Sequence, residues 1–146
     1  MKLVLQRVLS ARLTVGGEEI SKIGNGLVVY FGAGRGDTES DADIAVRKTA
    51  NLRVFEKDGK MNLSSLDSGA EILFVSQFTL YGDCRKGNRP SFTEAEEPTR
   101  ANELYEYAAS RLAETGLTVK KGVFGADMTI EQTNDGPVTI IFDTRA

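Results

Sequence analysis

The most apolar run of the 146-residue sequence is ILFVSQFTLY, over residues 72–81. A continuous apolar run of this length is typical of a central β-strand that is buried on both faces. In such a strand Ser76 and Phe78 point to one face, whereas Gln77 and Thr79 point to the other. An unpaired polar group in a buried strand costs about 1–3 kcal/mol. The polar side chains therefore either bond within the fold or line a pocket and face a ligand.

Apolar patterns elsewhere in the chain predict the strands around this run. Residues 2–15 alternate between apolar and polar types, which predicts a long strand with one buried row. Shorter runs and alternations predict further strands at residues 18–23, 27–31, 117–124, 128–133 and 138–142.

Two amphipathic helices complete the predicted architecture. One follows the helix-starting residues 37–41, and the other extends from Pro98 to a stop at Gly116. Residues 61–69 are predicted to be a connecting loop. Because strands dominate and turns are frequent, we expect an α+β fold with an antiparallel β-barrel-like sheet and two outer helices. The length favours one domain over residues 1–146.

Composition limits the chemistry that this chain can perform. The sequence has no histidine, which excludes Ser-His-Asp and Cys-His schemes of nucleophilic catalysis. With no histidine and only Cys84, a conventional zinc site is also excluded, and no carboxylate spacing suggests Mg²⁺. We therefore expect no metal and no cofactor. The net charge of −3 argues against a globally basic nucleic-acid-binding protein.

Hydropathy gives an expectation about location. No apolar run approaches the ~18 residues of a membrane span, and the first residues lack the apolar core of a signal peptide. We expect a cytoplasmic protein that makes no membrane contact.

Arg7 interrupts the buried row of the first strand. A cation in a core is very costly without acceptors, so Arg7 must have designated partners. One interpretation is an ion pair with a core carboxylate. The other is that its five N–H donors hold backbone carbonyls in a set orientation near a site.

Two glycine-bearing loops are candidate binding elements. The loop over residues 81–92 carries Arg85, Lys86 and Arg89, and is either a solvated loop or a loop that meets phosphates. Residues 32–36 form a Gly-x-Gly-x-Gly pattern before a helix. That pattern lacks both the dinucleotide spacing and the Gly-Lys-Ser/Thr ending, so its support for phosphate binding is weak.

The stretch from Asn134 to Thr139 is the second unusual polar segment. Proline cannot donate to a strand ladder, so Pro137 marks an edge, a bulge or a turn. A Gly-Pro bond can be cis, which would aim two carbonyls the same way. The alternative is an ordinary turn that joins two strands.

The two polar segments together resemble the bacterial-type D-aminoacyl-tRNA deacylase family, also called D-tyrosyl-tRNA deacylase. The matching motifs are Ser76-Gln77-Phe78-Thr79 and Asn134-Asp135-Gly136-Pro137-Val138-Thr139. Shorter similarities are Gln6-Arg7-Val8, Lys60-Met61-Asn62-Leu63, Arg89-Pro90-Ser91-Phe92 and Phe124-Gly125-Ala126-Asp127-Met128. The resemblance therefore extends over nearly the whole chain.

The resemblance implies an esterase that removes D-amino acids, and also glycine mischarged on tRNA-Ala, from the 3′ end of tRNA. It implies a homodimer with two sites at the subunit interface and no cofactor. The implied catalytic residues are Ser76, Gln77, Phe78 and Thr79. The implied substrate-binding residues are Arg7, Arg89, Pro90, Ser91, Phe92, Phe124, Met128, Asn134, Gly136, Pro137 and Thr139.

The same resemblance implies a mechanism. Gly136-Pro137, in cis, enters the site of the other subunit, where its carbonyls hold the amino group and exclude an L side chain. Backbone N–H groups near Gln77 and Phe78 would bind the oxyanion, and the 2′-hydroxyl of the terminal adenosine assists. Thr79 is the alternative nucleophile, although a threonine hydroxyl without a base is a poor one.

Two other interpretations fit the same residues. A variant of the superfamily prefers L-alanine on the wrong tRNA, and Arg7 argues against it. A non-catalytic nucleic-acid-binding dimer is the alternative from a different class, because a eukaryotic relative is described as a DNA-element-binding protein.

Overall fold

The computed structural model describes all 146 residues. It contains eight strands, three α-helices and one short 3-10 helix, Phe78–Tyr81. The elements follow one another as β1 (Lys2–Val15), β2 (Glu18–Ile23), β3 (Gly26–Gly32), α1 (Glu39–Asn51), β4 (Phe55–Lys57), β5 (Lys60–Leu63), α2 (Ser65–Ser68), β6 (Glu71–Ser76), α3 (Pro98–Glu114), β7 (Thr118–Lys121) and β8 (Thr129–Asp143). The predicted strand-dominated α+β fold is confirmed.

One six-stranded sheet forms the framework. Its strands lie in the order β2-β1-β3-β6-β7, and β8 pairs with β1. Strand β1 is antiparallel to β2, β3 and β8, but the β3–β6 and β6–β7 pairs are parallel. The expectation of a purely antiparallel sheet is therefore wrong at these two pairs, where helices make the crossovers. The Ser21 hydroxyl on β2 donates to the Lys121 carbonyl on β7, so the two ends of the sheet nearly close a barrel.

The main core lies between the sheet and helices α1 and α3. Its centre is an aromatic group in which the rings of Phe74 and Tyr105 stack at 5.3 Å and Phe31 packs at 5.2 Å from Phe74. The Tyr105 hydroxyl donates to the Phe74 carbonyl over 2.6 Å. Helix α3 buries six residues on one face: Ala101, Leu104, Tyr105, Ala108, Ala109 and Leu112. This packing fixes strand β6, whose carboxyl end forms the site described below.

Residues 60–69 differ from the predicted loop. Strand β5 occupies Lys60–Leu63, and a third helix, α2, follows. Helix α2 has a single turn, which hydrophobic periodicity cannot reveal. Its signal is the capping box between Ser64 and Asp67, whose side chains each accept a hydrogen bond from the other's backbone N–H.

Candidate active site

The apolar run at residues 72–81 does not continue as a strand to Thr79. Strand β6 ends at Ser76, and the chain turns at Gln77 into the 3-10 helix. Phe78 is 54% exposed, so the prediction of a strand buried on both faces is wrong beyond Ser76. Gly32 on the neighbouring strand allows this turn, because a Cβ there would lie only 3.0 Å from the Gln77 carbonyl oxygen.

The backbone of the turn supplies N–H groups. The N–H of Gln77 donates to the Phe31 carbonyl over 2.8 Å. Contrary to our expectation, it is therefore not free to bind an oxyanion. A 3-10 helix leaves its first N–H groups without an intrahelical partner, and here these belong to Phe78 and Thr79. The N–H groups that this turn leaves free are therefore those of Phe78 and Thr79, and not that of Gln77.

The side chains of Gln77 and Thr79 bond to each other. The Gln77 amide donates to the Thr79 hydroxyl oxygen, and the threonine makes no hydrogen bond to a carboxylate or an amine. No general base therefore contacts the hydroxyl, which makes Thr79 a weak nucleophile. The bond instead fixes the Gln77 side chain at the turn.

A cavity of about 740 Å³ opens beside this turn. Six of the predicted site residues line it: Ser76, Gln77, Phe78, Phe92, Phe124 and Met128. These residues come from three separate parts of the chain, and the fold brings them together. Both the volume and the mixture of apolar walls with a few polar groups are typical of a small-molecule site.

The cavity also has charged walls that sequence reasoning missed: Arg35, Glu96, Glu97 and Asp127. A short antiparallel bridge between Gly34 and Ala95 brings the first three together. The residues that make this bridge are far apart in the sequence and form no motif, so no local pattern indicated it. Asp127 lies between Phe124 and Met128, which were both predicted site residues, so its place in the sequence was a signal that could have found it.

Two exposed aromatic rings belong to the same cavity. Phe78 and Phe92 pack edge to face with ring centroids 5.0 Å apart. Exposed aromatic side chains in contact are a common platform on which nucleic-acid bases stack. The pair therefore gives the cavity a surface suited to a base.

The charged residues of the loop after the turn make only local contacts. Its Asp83 and Ser91 form a bridge, and the Arg85 guanidinium donates to the Asp83 carboxylate over 2.7 and 2.9 Å. These hydrogen bonds from Arg85 hold the pKa of Asp83 well below its usual range. Arg89, Pro90 and Ser91 are exposed and do not line the cavity.

The glycine pattern at residues 32–36 does not form a phosphate cradle. The N–H of Gly34 donates to the Asp37 carboxylate over 2.6 Å, and Asp37 is buried. A buried carboxylate occupies the position of an anion, which disfavours a phosphate there.

The second polar segment forms a bulge within β8 instead of a turn between two strands. Gln6 pairs with Thr139 and Val8 pairs with Asn134, so Arg7 alone faces the four residues 135–138. We call these four residues the β8 bulge. The Gly136–Pro137 peptide bond within it is cis, and both residues are exposed. The bulge alternative, and not the ordinary turn, is confirmed.

Arg7 combines the two interpretations of its role. Its Nη1 donates to the Val54 carbonyl over 2.7 Å, and its Nε donates to the Asp135 carbonyl over 3.3 Å. Nε also lies 3.2 Å from the Asp135 carboxylate, which is 43% exposed. The buried guanidinium thus grips the start of the bulge, and the carbonyls that it holds are not those of Gly136 or Pro137.

The bulge and the cavity do not meet within one chain. Arg7, Asn134, Gly136, Pro137 and Thr139 contribute nothing to the cavity lining. The predicted site residues therefore divide into a concave group and a convex group. No group of three or more His, Cys, Asp or Glu side chains is placed to hold a metal ion, and none of the helices has the length and apolarity to cross a membrane.

Comparison with known proteins relates nearly the whole chain to the family that its two polar segments resemble. A family profile described as D-Tyr-tRNA(Tyr) deacylase matches residues 4–143. The D-aminoacyl-tRNA deacylase of Desulfitobacterium hafniense is 54% identical over 145 residues, covering 99% of this chain and 97% of the relative. That of Thermus aquaticus is also 54% identical over 145 residues, covering 99% and 95%.

Two solved structures are similar to this one. The c-Myc DNA Unwinding Element Binding Protein has a TM-score of 0.94 at 45% identity, with 100% of both chains covered. A probable eukaryotic D-amino acid tRNA deacylase has a TM-score of 0.83 at 18% identity, with 97% of each chain covered, and shows the fold alone.

The relatives define a class of protein, the hydrolases that act on ester bonds of aminoacyl-tRNA. Within that class the chain belongs to the D-Tyr-tRNA(Tyr) deacylase family. The resemblance that the two polar segments indicated is therefore confirmed.

Proposed function

We propose that this chain hydrolyses the ester bond of D-aminoacyl-tRNA and releases a free D-amino acid and tRNA. Water adds to the ester carbonyl carbon, and the bond to the ribose oxygen breaks. The observation that carries the proposal is the convergence of six family-motif residues on one 740 Å³ cavity. A volume of this size accommodates an aminoacyl group with its terminal adenosine.

Backbone groups and the substrate supply the catalysis. The Phe78 and Thr79 N–H groups stabilise the oxyanion of the tetrahedral intermediate. Ser76 and the Gln77 amide orient water and substrate, while Thr79 holds Gln77. The 2′-hydroxyl of the terminal ribose assists the attack, which fits a chain that has no histidine and a Thr79 hydroxyl that contacts no base.

The terminal adenosine binds by stacking on the Phe78–Phe92 pair. This geometry supports an aromatic platform because the two rings are exposed and 5.0 Å apart. Arg89, Pro90 and Ser91 extend the platform along the loop, and Phe124 and Met128 contact the aminoacyl group. The tRNA substrate in turn implies action in the cytoplasm.

The functional unit is a homodimer in which each β8 bulge enters the cavity of the partner subunit. The support is that the Gly136-Pro137 pair is exposed and takes no part in lining the 740 Å³ cavity of its own chain. In the partner subunit's cavity, the Gly136 and Pro137 carbonyls hold the D-configured amino group, and the bulge leaves no room for an L side chain. Glycine, having no side chain to exclude, is also removed from mischarged tRNA-Ala.

Lysine and arginine side chains without an ion pair near the bulge support an RNA partner. Seven of the eighteen lysine and arginine side chains form ion pairs. Five of the others are clustered in one segment: Arg47, Lys48, Arg53, Lys57 and Lys60. This basic segment adjoins the bulge through Val54, which accepts a hydrogen bond from Arg7. In the dimer it would flank the partner subunit's cavity, where tRNA phosphates approach.

A nucleic-acid-binding dimer without catalysis is the second candidate. One observation favours it: the structure with a TM-score of 0.94 is named as a DNA unwinding element binding protein. The net charge of −3 and the 740 Å³ cavity favour the esterase.

The decisive experiment measures release of tyrosine from D-Tyr-tRNA and L-Tyr-tRNA, with Gly-tRNA-Ala as a third substrate. We expect rapid release from the D ester and glycine ester only. Thr79→Val removes the hydroxyl that holds Gln77, so we expect the rate to fall by about three- to tenfold, as for the loss of one hydrogen bond, and not to be abolished as it would be by loss of a nucleophile. If none of the esters is cleaved faster than in buffer while duplex DNA is bound, the second candidate replaces the first.

The dimer has its own test, by co-expression of two inactive variants. One subunit carries Phe78→Pro, which disrupts the turn, and the other carries Gly136→Ala. Random pairing then restores about a quarter of the sites, because half of the dimers are mixed and each mixed dimer has one intact site. No recovery would show that the cavity and the bulge of the same chain act together.

A further inference from the structure

The β8 bulge is attached to its strand by two residues, Asn134 before it and Thr139 after it. Both pair with β1, opposite Val8 and Gln6 respectively. Apart from the contact of Arg7 with Asp135, these two pairs are where the bulge joins the sheet. Whatever holds Asn134 and Thr139 therefore sets the direction in which Gly136 and Pro137 project.

A chain of side-chain hydrogen bonds joins these two residues. The Gln132 amide nitrogen donates to the Asn134 side-chain oxygen over 2.6 Å and to the Gln6 side-chain oxygen over 2.9 Å. The Gln6 amide nitrogen then donates to the Thr139 hydroxyl over 3.3 Å. The Tyr30 hydroxyl donates to the Gln132 carbonyl oxygen over 3.1 Å and ties the chain to β3.

Gln132 is the centre of this chain because its amide uses both donors and one acceptor at once. No other side chain of the same size offers that combination. A glutamate at this position would place an acceptor against the acceptors of Gln6 and Asn134. Burial raises the pKa of Tyr30, so its hydroxyl remains a protonated donor at neutral pH.

The chain complements the grip of Arg7. Successive residues of a strand point to opposite faces, so Gln6 and Arg7 act from opposite sides of β1. Arg7 holds the start of the bulge through the Asp135 carbonyl, and the amide chain holds both of its ends. The bulge is thus fixed from two faces, through groups that do not line the cavity.

We propose that Gln132, together with Gln6 and Tyr30, is a positioning residue that orients the β8 bulge and thereby sets the discrimination between D- and L-aminoacyl esters. This inference rests on the proposed function, in which the bulge enters the partner subunit's cavity. It also gives Asn134 and Thr139 a role as attachment points instead of substrate contacts.

The test compares rates of release from D-Tyr-tRNA and L-Tyr-tRNA for Gln132→Met, Gln132→Glu and Tyr30→Phe. We expect the D-to-L rate ratio to fall by about three- to tenfold in Tyr30→Phe, where one hydrogen bond is lost, and further in Gln132→Glu. Tyr107→Phe is the matched control. The Tyr107 hydroxyl donates to the Asp43 carboxylate over 3.0 Å, between helices α3 and α1 and apart from the Gln132 chain. This control should keep the wild-type ratio.

Two further readouts separate positioning from stability. Tyr30→Phe added to Gln132→Met should change the ratio no further, since both variants break the same chain. Melting temperatures are measured alongside, and a lowered Tm with an unchanged ratio in all three variants overturns the proposal. Wild-type protein that releases neither ester would contradict the proposed function itself, which is a separate outcome.

Discussion

The two polar segments of this molecule interrupt strands in opposite ways. At Ser76 strand β6 ends, and the chain curls into a 3-10 helix that forms the wall of a cavity. At Asn134 strand β8 continues, and the chain bulges outward into solvent. One interruption is concave and supplies N–H donors, and the other is convex and presents carbonyls. Under the proposed dimer, the contrast teaches that a chain could carry both halves of a site without bringing them together.

Removing Arg7 should break the convex half most severely. Arg7→Ala leaves the Val54 carbonyl without its buried donor and removes the part-buried bond to the Asp135 carbonyl, so we expect a loss of about 2–4 kcal/mol in the free energy of unfolding. The bulge should also lose its orientation, and L-Tyr-tRNA should become a substrate.

The matched control is Arg12→Ala, which removes an exposed ion pair to Glu131 between the same two strands. Urea denaturation of both variants gives the comparison. Equal midpoints for the two would contradict the role assigned to Arg7.

A side chain at Gly136 should damage the bulge with less effect on the fold. Gly136 has φ +123°, and a Cβ there would lie 3.0 Å from the Val138 nitrogen and 3.3 Å from Arg7 Nη2. We expect Gly136→Ala to lose about 1–3 kcal/mol of stability through backbone strain and to lose most of its D-ester activity.

Gly17→Ala is the control, because its φ is +81° but no atom lies within 4 Å of the new Cβ. It should lose stability and keep its activity. Thermal unfolding gives the stability and single-turnover kinetics give the activity, both on the same samples. Full activity in Gly136→Ala would show that the bulge takes no part in the site.

A side chain at Gly32 should disturb the concave interruption, the turn and 3-10 helix after Ser76. A Cβ at this position presses on the Gln77 carbonyl and on Leu80 Cβ at 3.2 Å, so Gly32→Ala must displace the 3-10 helix by a few tenths of an ångström. A shift of the oxyanion donors should lower kcat by about tenfold or more without changing the D-to-L ratio.

Gly24→Ala provides the comparison, since its Cβ would meet only the flexible Glu71 carboxylate at 3.2 Å. Its kcat should match that of the wild type. A changed D-to-L ratio in Gly32→Ala would show that the two halves are not separable.

The basic segment should affect binding of the tRNA body alone. Exchange of Lys57 and Lys60 for glutamate should raise KM for D-Tyr-tRNA by about three- to tenfold at low salt and reduce the salt dependence. The KM for D-Tyr-adenosine should stay constant. The same exchange at Lys22 and Lys120, which are also exposed and unpaired, should leave both substrates unaffected.

Lowering the pH should destabilise the protein slightly through Glu97, which lies in the wall of the cavity. Glu97 accepts hydrogen bonds from the Thr99 and Arg100 N–H groups at the start of α3, which lowers its pKa. A carboxyl whose pKa is lowered by folding stabilises the protein above its unfolded pKa, and this contribution is lost as the pH falls through the folded pKa. Between about pH 5 and pH 3, the Tm of the wild type should therefore fall further than the Tm of Glu97→Gln. Parallel curves would show that this cap contributes nothing.

Periodicity predicted the elements whose apolar faces repeat, and missed those defined by a few polar atoms. The long strand β1, both main helices and the polar segments were all visible in the sequence. Helix α2, the end of β6 at Ser76 and the parallel pairs were not, because single hydrogen bonds and long-range crossovers decide them. The same holds for the site: motif residues predicted part of the cavity, whereas Arg35 and Glu96 arrive through a tertiary bridge without a sequence signal.

The pairing of β1 with β8 has a consequence for synthesis on the ribosome. Lys2 pairs with Asp143 and Thr14 with Thr129, so the longest ladder of the sheet joins the first strand made to the last. At usual elongation rates β1 waits on the order of ten seconds for that partner. During this interval one edge of an apolar strand is open to other nascent chains, and such non-local pairing folds slowly. The first strand therefore completes its pairing only after β8 has been made.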